Sequence, residues 1–225
     1  MSVQVCRPAG IEEAPGITVR RIDPGAGPVL YWEHFSLASG ASRALPMVAG
    51  SEAIIYVLSG ALRLGEVPGI GGAVVAGGGQ WLATGRRLTP RQTAVGGVPA
   101  QGIRFGMRLP RRSVLGIEFL QIDAGGLPLE RITGGSLRLV AAEEVGLHPV
   151  SALRCCEVRL EPGAVWYAAV PDKGCALIYM VTGSAAVAGS DIDEGEAWVA
   201  AHEGPLRIEA REECRVMAAL GEVKS

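Results

Sequence analysis

Six side chains suited to binding chemistry stand in the first half of the chain: Arg43, Glu52, Arg86, Arg91, Gln92 and Arg104. A guanidinium donates in a planar fork that matches carboxylate and phosphate. The set therefore points to a small anionic or aromatic ligand, with Trp81 of "QWLATGRRLTPRQT" (80–93) as an aromatic wall. The plainer alternative puts Arg86 and Arg87 on the surface of a long loop and Trp81 in the core. Catalytic arrangements are harder to find. His34, His148 and His202 lie far apart with no recognisable nucleophile beside them, and no Gly-x-Ser-x-Gly occurs. His34, in "YWEHF", reads as a general base or as a structural histidine, and no carboxylate stands at a useful spacing from it. His202-Glu203 reads as a solvated pair or a cap before it reads as a ligand set.

The five cysteines, Cys6, Cys155, Cys156, Cys175 and Cys214, are odd in number and form no CxxC pair, which suggests neither a disulfide framework nor a zinc knuckle. Neighbouring residues of a strand face opposite ways. Cys156 then joins Val158 and Leu160 on an apolar face, while Cys155 joins Glu157 and Arg159 outside. That geometry opposes a cooperative dithiol and leaves Cys155 an exposed thiol of open reactivity.

The elements that must position these residues are short. Of 225 residues 32 are glycine, only 20% are charged, and the apolar residues come in strand-length runs broken by Gly, Pro, Ser and Asp. Helical periodicity is weak, with one short turn conceivable at 141–145. No run approaches the roughly 20 apolar residues of a membrane helix, and the start lacks a basic stretch followed by an apolar one, so a cytoplasmic protein is expected. Net charge of −2 gives no general attraction to nucleic acid. Residues 1–135 carry thirteen arginines against nine acids, whereas 136–225 carry eight bases against fourteen acids. An interdomain electrostatic contact or ordinary surface variation would each account for that asymmetry.

An internal repeat organises the chain. "AIIYVLSGALRL" (53–64) returns as "ALIYMVTGSAAV" (176–187), an offset of 123, and the same offset sets "LASGAS" (37–42) on "LEPGAV" (160–165). "QWLA" (80–83) lies on "AWVA" (197–200) at an offset of 117, which implies about six extra residues in the first copy, in the 66–75 loop. A period this long makes each copy a domain. Antiparallel domains of this size close their edges as barrels or jelly rolls, with Gly60 and Gly183 as hairpin residues that permit positive φ.

In this order, "GITVRRIDPGAG" (16–27), "EHF" (33–35), "YVLSG" (56–60), "QWLATGR" (80–86), "RLPRR" (108–112) and "VRLEPGA" (158–164) resemble the pirin family of bicupins. The resemblance covers about 16–222 and is closest to the compact bacterial type. It implies an all-β fold of two tandem cupin (jelly-roll) barrels, residues 1–134 and 135–225, and an N-terminal strand (2–5) packed on the C-terminal barrel. It also implies iron in the first barrel, held by His-Pro-His…Glu before "YVL" and His-x-Glu after the "QW" strand. The corresponding positions are Pro46, Val48, Pro90 and Gln92, and no histidine or cysteine occurs between His34 and His148. In the second repeat the same positions fall on Ala169, Pro171, Arg207 and Glu209, of which only Glu209 has a ligating side chain. The expectation is a non-catalytic pirin-like bicupin without a metal cofactor, binding a small ligand or a protein partner and neither nucleic acid nor membrane. The alternative is a metal-dependent, quercetinase-like dioxygenase, as in some pirins.

Overall fold

Twenty strands and one 3-10 turn make up the regular structure of the described residues in this computed structural model. It describes residues 3–25, 27–67, 71–109, 116–143, 146–147 and 149–222, less the side chains of 173, 202 and 203. The first part of the chain gives β1 Gln4–Cys6, β2 Ile11–Ala14, β3 Ile17–Ile22, β4 Val29–Leu37, β5 Ser42–Ala44, β6 Ser51–Ser59, β7 Ala61–Gly65, β8 Ala73–Val75, β9 Gly79–Thr84, β10 Arg91–Ala94, β11 Ala100–Arg108 and β12 Ile117–Ile122. The second gives β13 Leu129–Ile132, β14 Gly135–Ala141, β15 Leu153–Leu160, β16 Val165–Thr182, β17 Ser184–Val187, β18 Ser190–Asp193, β19 Ala197–Ala210 and β20 Cys214–Glu222.

Two sheets, β12-β9-β6-β11-β4-β3-β2 and β5-β10-β7-β8, enclose the first barrel. One sheet, β13-β14-β15-β20-β16-β19-β17-β18, forms the second, with β16 and β19 long enough to bend around it. Strand β1 pairs with β19, so the start of the chain is held on the second barrel, where the pirin resemblance puts it. Strand β13 also belongs to the second sheet, through β14. The turn expected at 141–145 lies partly outside the described residues, and Ala141 itself ends β14. No helix among the described residues is long and apolar enough to cross a membrane.

Alternation along the strands sorts the apolar residues into three layers. Ala53, Ile55 and Val57 of β6 fill the first barrel, as Ala176, Ile178 and Met180 of β16 fill the second. Ile54, Tyr56 and Leu58 project the other way, and so do Leu177, Tyr179 and Val181, into a layer shared by both barrels. The offset of 123 is therefore structural: it preserves the facing of every residue in these strands. At Gly60 (φ 72°) and Gly183 (φ 77°) a Cβ would lie 2.2 Å from Pro99 O and 2.3 Å from Glu213 O, so both hairpins need glycine.

The second offset is corrected by one residue. Trp81 pairs with Ile54, and Val199 pairs with Leu177, the repeat equivalent of Ile54. Trp81 thus corresponds to Val199, not to Trp198, and the first copy carries five extra residues. Trp81 lies in the shared layer and Trp198 inside the second barrel.

Cys155 also departs from expectation. It is fully buried in the shared layer, because the first barrel covers the outer face of the second where the sequence suggested solvent. Burial raises its thiol pKa well above the ordinary value, so it is no exposed nucleophile.

Two tyrosines tie the barrels together by the same repeat. Tyr56 Oη donates to Glu157 Oε2 of the second barrel, and Tyr179 Oη lies 2.9 Å from His34 Nδ1 of the first. Tyr179 is Tyr56 plus 123, and Glu157 is His34 plus 123. His34 is a structural histidine: burial, with Arg20 and Arg215 nearby, lowers its pKa to about 4. The neutral form is thus favoured in the fold, and stability falls as pH drops from 6.5 towards 4, by up to roughly 3 kcal/mol. Urea unfolding across that window should give a steeper pH dependence for the parent protein than for His34→Gln.

Candidate functional site

Cross-strand register builds a buried polar cluster inside the first barrel. On β4, Trp32 and His34 face the shared layer, so Glu33 points inward with Phe35 and Leu37. Arg104 of β11 is the direct partner of Glu33 within the larger sheet, and Gln92 of β10 is the direct partner of Arg43 on β5 within the smaller one. The sheets face each other, and Arg43 reaches across. Its Nη2 donates to Glu33 Oε2 at 3.2 Å and its Nε to Gln92 Oε1 at 2.9 Å. Arg104 Nη1 donates to the same Glu33 oxygen at 3.3 Å, and its Nη2 to Pro46 O at 3.3 Å. Glu33 Oε1 takes Arg21 Nη1 at 3.3 Å.

Aromatic faces hold the guanidiniums in place. Tyr31 lies 4.8 Å from both Arg21 Cζ and Arg104 Cζ, and Phe35 lies 4.5 Å from Arg43 Cζ. Gly106 makes room for the Tyr31 ring, since a Cβ there would stand 2.2 Å from Tyr31 Cε1. Burial raises the Tyr31 pKa and lowers that of Arg43, which as an arginine still keeps its proton.

Charge is unevenly distributed between the buried part of this network and its rim. Glu33, Arg43 and Arg104 are at most 6% exposed, giving two buried cations to one buried anion. At the rim, half-exposed Arg21 is also paired with Asp23 at 3.0 Å, and half-exposed Glu13 stands 3.7 Å from Arg43 Nη1, so the rim acids offset the second buried arginine from the solvent side. Gln92 Nε2 and Arg104 Nε are buried with no hydrogen-bond partner. Unpaired buried donors each cost on the order of 1–3 kcal/mol.

The six residues singled out in the sequence are thus divided. Arg43, Gln92 and Arg104 meet inside the barrel. Arg86 is exposed, and Arg91 pairs with Glu66 at 2.8 Å on the surface. Glu52 faces away from the barrel interior. It accepts from Trp81 Nε1, Val150 N and Ser151 N, each at 2.8 Å, and so fastens the second barrel's leading loop to the first. Glu33 was not singled out, although an acid two residues before Phe35 on the inward face of a strand was the available signal.

Pro46 and Val48 are exposed, while Leu45 and Met47 occupy the inward face beside them; Pro90 and Gln92 are buried. Glu209 is bound by Arg207 and Arg211 at the surface. His148 and the side chains of His202 and Glu203 lie outside the described residues. Among the described residues, no group of three His, Cys, Asp or Glu side chains is arranged to hold a metal ion.

No protein-family model matches the chain. A pirin-like protein of Solanum lycopersicum is 23% identical over 169 residues, 73% of this chain and 58% of the tomato protein, so the match takes in little more than half of the relative's length. Among solved structures, a quercetin 2,3-dioxygenase from Acinetobacter baumannii superposes with a TM-score of 0.85 at 16% identity, over 98% of this chain and 86% of that one. The bacterial pirin YhhW from Escherichia coli, in complex with nickel(II), gives 0.80 at 13% identity over 99% and 100%. The chain has the pirin-type bicupin fold. In this bicupin, the polar cluster is the only grouping of more than two buried charges found inside a barrel among the described residues.

Glu33 is the counter-ion on which the cluster rests. Glu33→Gln should lower unfolding free energy by about 3–5 kcal/mol, the cost of leaving buried cations unpaired. Glu33→Gln combined with Arg104→Met should recover part of the loss in denaturant titration.

Proposed function

We propose that this pirin-like bicupin is a non-catalytic, cytoplasmic ligand-binding protein whose first barrel holds a small oxyanion, carboxylate in type. The observation that carries this reading is the presence of two unpartnered buried donors, Gln92 Nε2 and Arg104 Nε, beside two buried guanidiniums that share one carboxylate. A carboxylate is an acceptor of the type both donors lack, and it suits the neighbouring guanidiniums. Trp81, turned to the shared layer, takes no part, and Arg86 and Arg91 are too far out to count as ligands in this reading. Signalling to a protein partner would follow from occupancy of that barrel.

The iron expected from the pirin resemblance does not fit these residues. Non-haem iron sites use imidazole and carboxylate donors with open positions. Here the one inward carboxylate among the described residues, Glu33, is already shared by three guanidiniums, and a dication would sit beside Arg43 and Arg104. The fold shared with an enzyme described as a quercetin 2,3-dioxygenase keeps the oxygenase alternative in view.

Gln92→Glu separates the readings. The substituted carboxylate still accepts from Arg43 and places a fixed anion beside both buried guanidiniums. In thermal unfolding with acetate, formate and benzoate, the parent protein should gain stability, each kcal/mol raising Tm by roughly 2–4 °C. Gln92→Glu should start from a higher Tm and respond to none of them. An unchanged response in Gln92→Glu would refute the anion site. Stoichiometric metal in untagged protein, with quercetin turnover on adding iron, would instead establish the oxygenase.

A further inference from the structure

The outer face of the second barrel carries a second cationic feature, independent of the first barrel's interior. Pairing register aligns Arg131 with Ser136, Ser136 with Arg159, and Arg159 with Arg215, in one row across β13, β14, β15 and β20. The next row on the same face runs Leu129, Arg138, Glu157, Met217. The opposite face, with Leu137, Val158 and Val216, is barrel core. The first barrel covers only the Met217 end, where Arg215 Nη1 donates to Leu58 O. Beyond that cover lies an open groove of about 370 Å³, lined by Leu129, Arg131, Ser136, Arg159, Glu161 and Glu213 among others.

Two of the four guanidiniums in these rows, Arg159 and Arg215, share the Glu157 carboxylate, whose capacity is already spent. Glu157 Oε2 accepts from Tyr56, and Oε1 from Arg215 and from Arg159 at 3.0 Å. Arg138 is committed to the carbonyls of Ala124 and Leu127. Arg131 and the Ser136 hydroxyl hold no hydrogen bond or ion pair among the described residues, and Arg159 is 62% exposed. Two cationic forks and a hydroxyl therefore converge on the groove with donors to spare.

The rim limits what can bind. Glu161 and Glu213 line the same groove and would repel an extended polyanion such as nucleic acid, while a compact anion can stay on the arginine side. We infer that this groove is a second binding site, for a small oxyanion of the phosphate or carboxylate class, held by Arg131, Arg159 and Ser136. The volume suits a small metabolite more than a peptide.

The test is a titration of Gln92→Glu protein, in which the first barrel has its own carboxylate, with inorganic phosphate and separately with acetate, followed by amide NMR. Saturable shifts at Gly135, Ser136 and Arg159 are expected. Arg131→Gln and Arg159→Gln should each weaken binding about tenfold, the worth of one charge-assisted hydrogen bond. Arg207→Gln, which breaks a surface pair elsewhere on the same barrel, should leave affinity unchanged. Since Arg131 has no partner to lose, its variant tests the site without disturbing the fold. Shifts that never saturate with either anion, or affinity that survives both groove substitutions, would overturn the assignment; tighter binding of one anion fixes the class.

Discussion

The apolar layer between the barrels, closed by two tyrosine hydrogen bonds, is the contact on which the rest of the molecule depends. Tyr56 reaches Glu157 and Tyr179 reaches His34, each from one repeat into the other. The bonds themselves supply roughly 1 kcal/mol apiece, whereas every large apolar side chain buried in the layer contributes roughly 1.5–3. Apolar burial therefore holds the barrels together, and the tyrosines fix their orientation. The same layer orients both polar features. By claiming Trp32 and His34 on one side of β4 it turns Glu33 inward, and by claiming Met217 it leaves the arginine rows at the edge of the cover.

Much of the fold was legible because the repeat is written twice. An offset of 123 predicted equivalent strands, equivalent hairpin glycines and, through the alternation of apolar residues, equivalent faces. The strand pair carrying Trp81 was misread by one residue because tryptophan is conspicuous, and matching Trp81 to Trp198 overrode the facing of their neighbours. Cys155 and Glu52 were misjudged for a different reason. Alternation separates the two faces of a strand but says nothing about what covers the outer one, and here a second domain does.

The candidate site was half legible. Arg43, Gln92 and Arg104 were identified from residue type, but Glu33 was not, and without it the charge count cannot be made. Arg86 and Arg91 have the same chemistry as Arg43, and only the pairing of β5 with β10 and of β4 with β11 selects among them. A barrel interior carrying fixed cations is electrostatically opposite to one prepared for a metal ion, although the backbone around it superposes on a bacterial pirin in complex with nickel(II).

The pairing of β1 with β19 has a consequence for biogenesis. Residues 4–6 leave the ribosome well before their partners, 197–199, which lie more than 190 residues later in the chain. The pairing of β1 with β19 must therefore follow the point at which long-range strand pairing in the first barrel has become possible. Until then the β19 edge that β1 will cover does not exist, and the first strand waits as an unpaired segment.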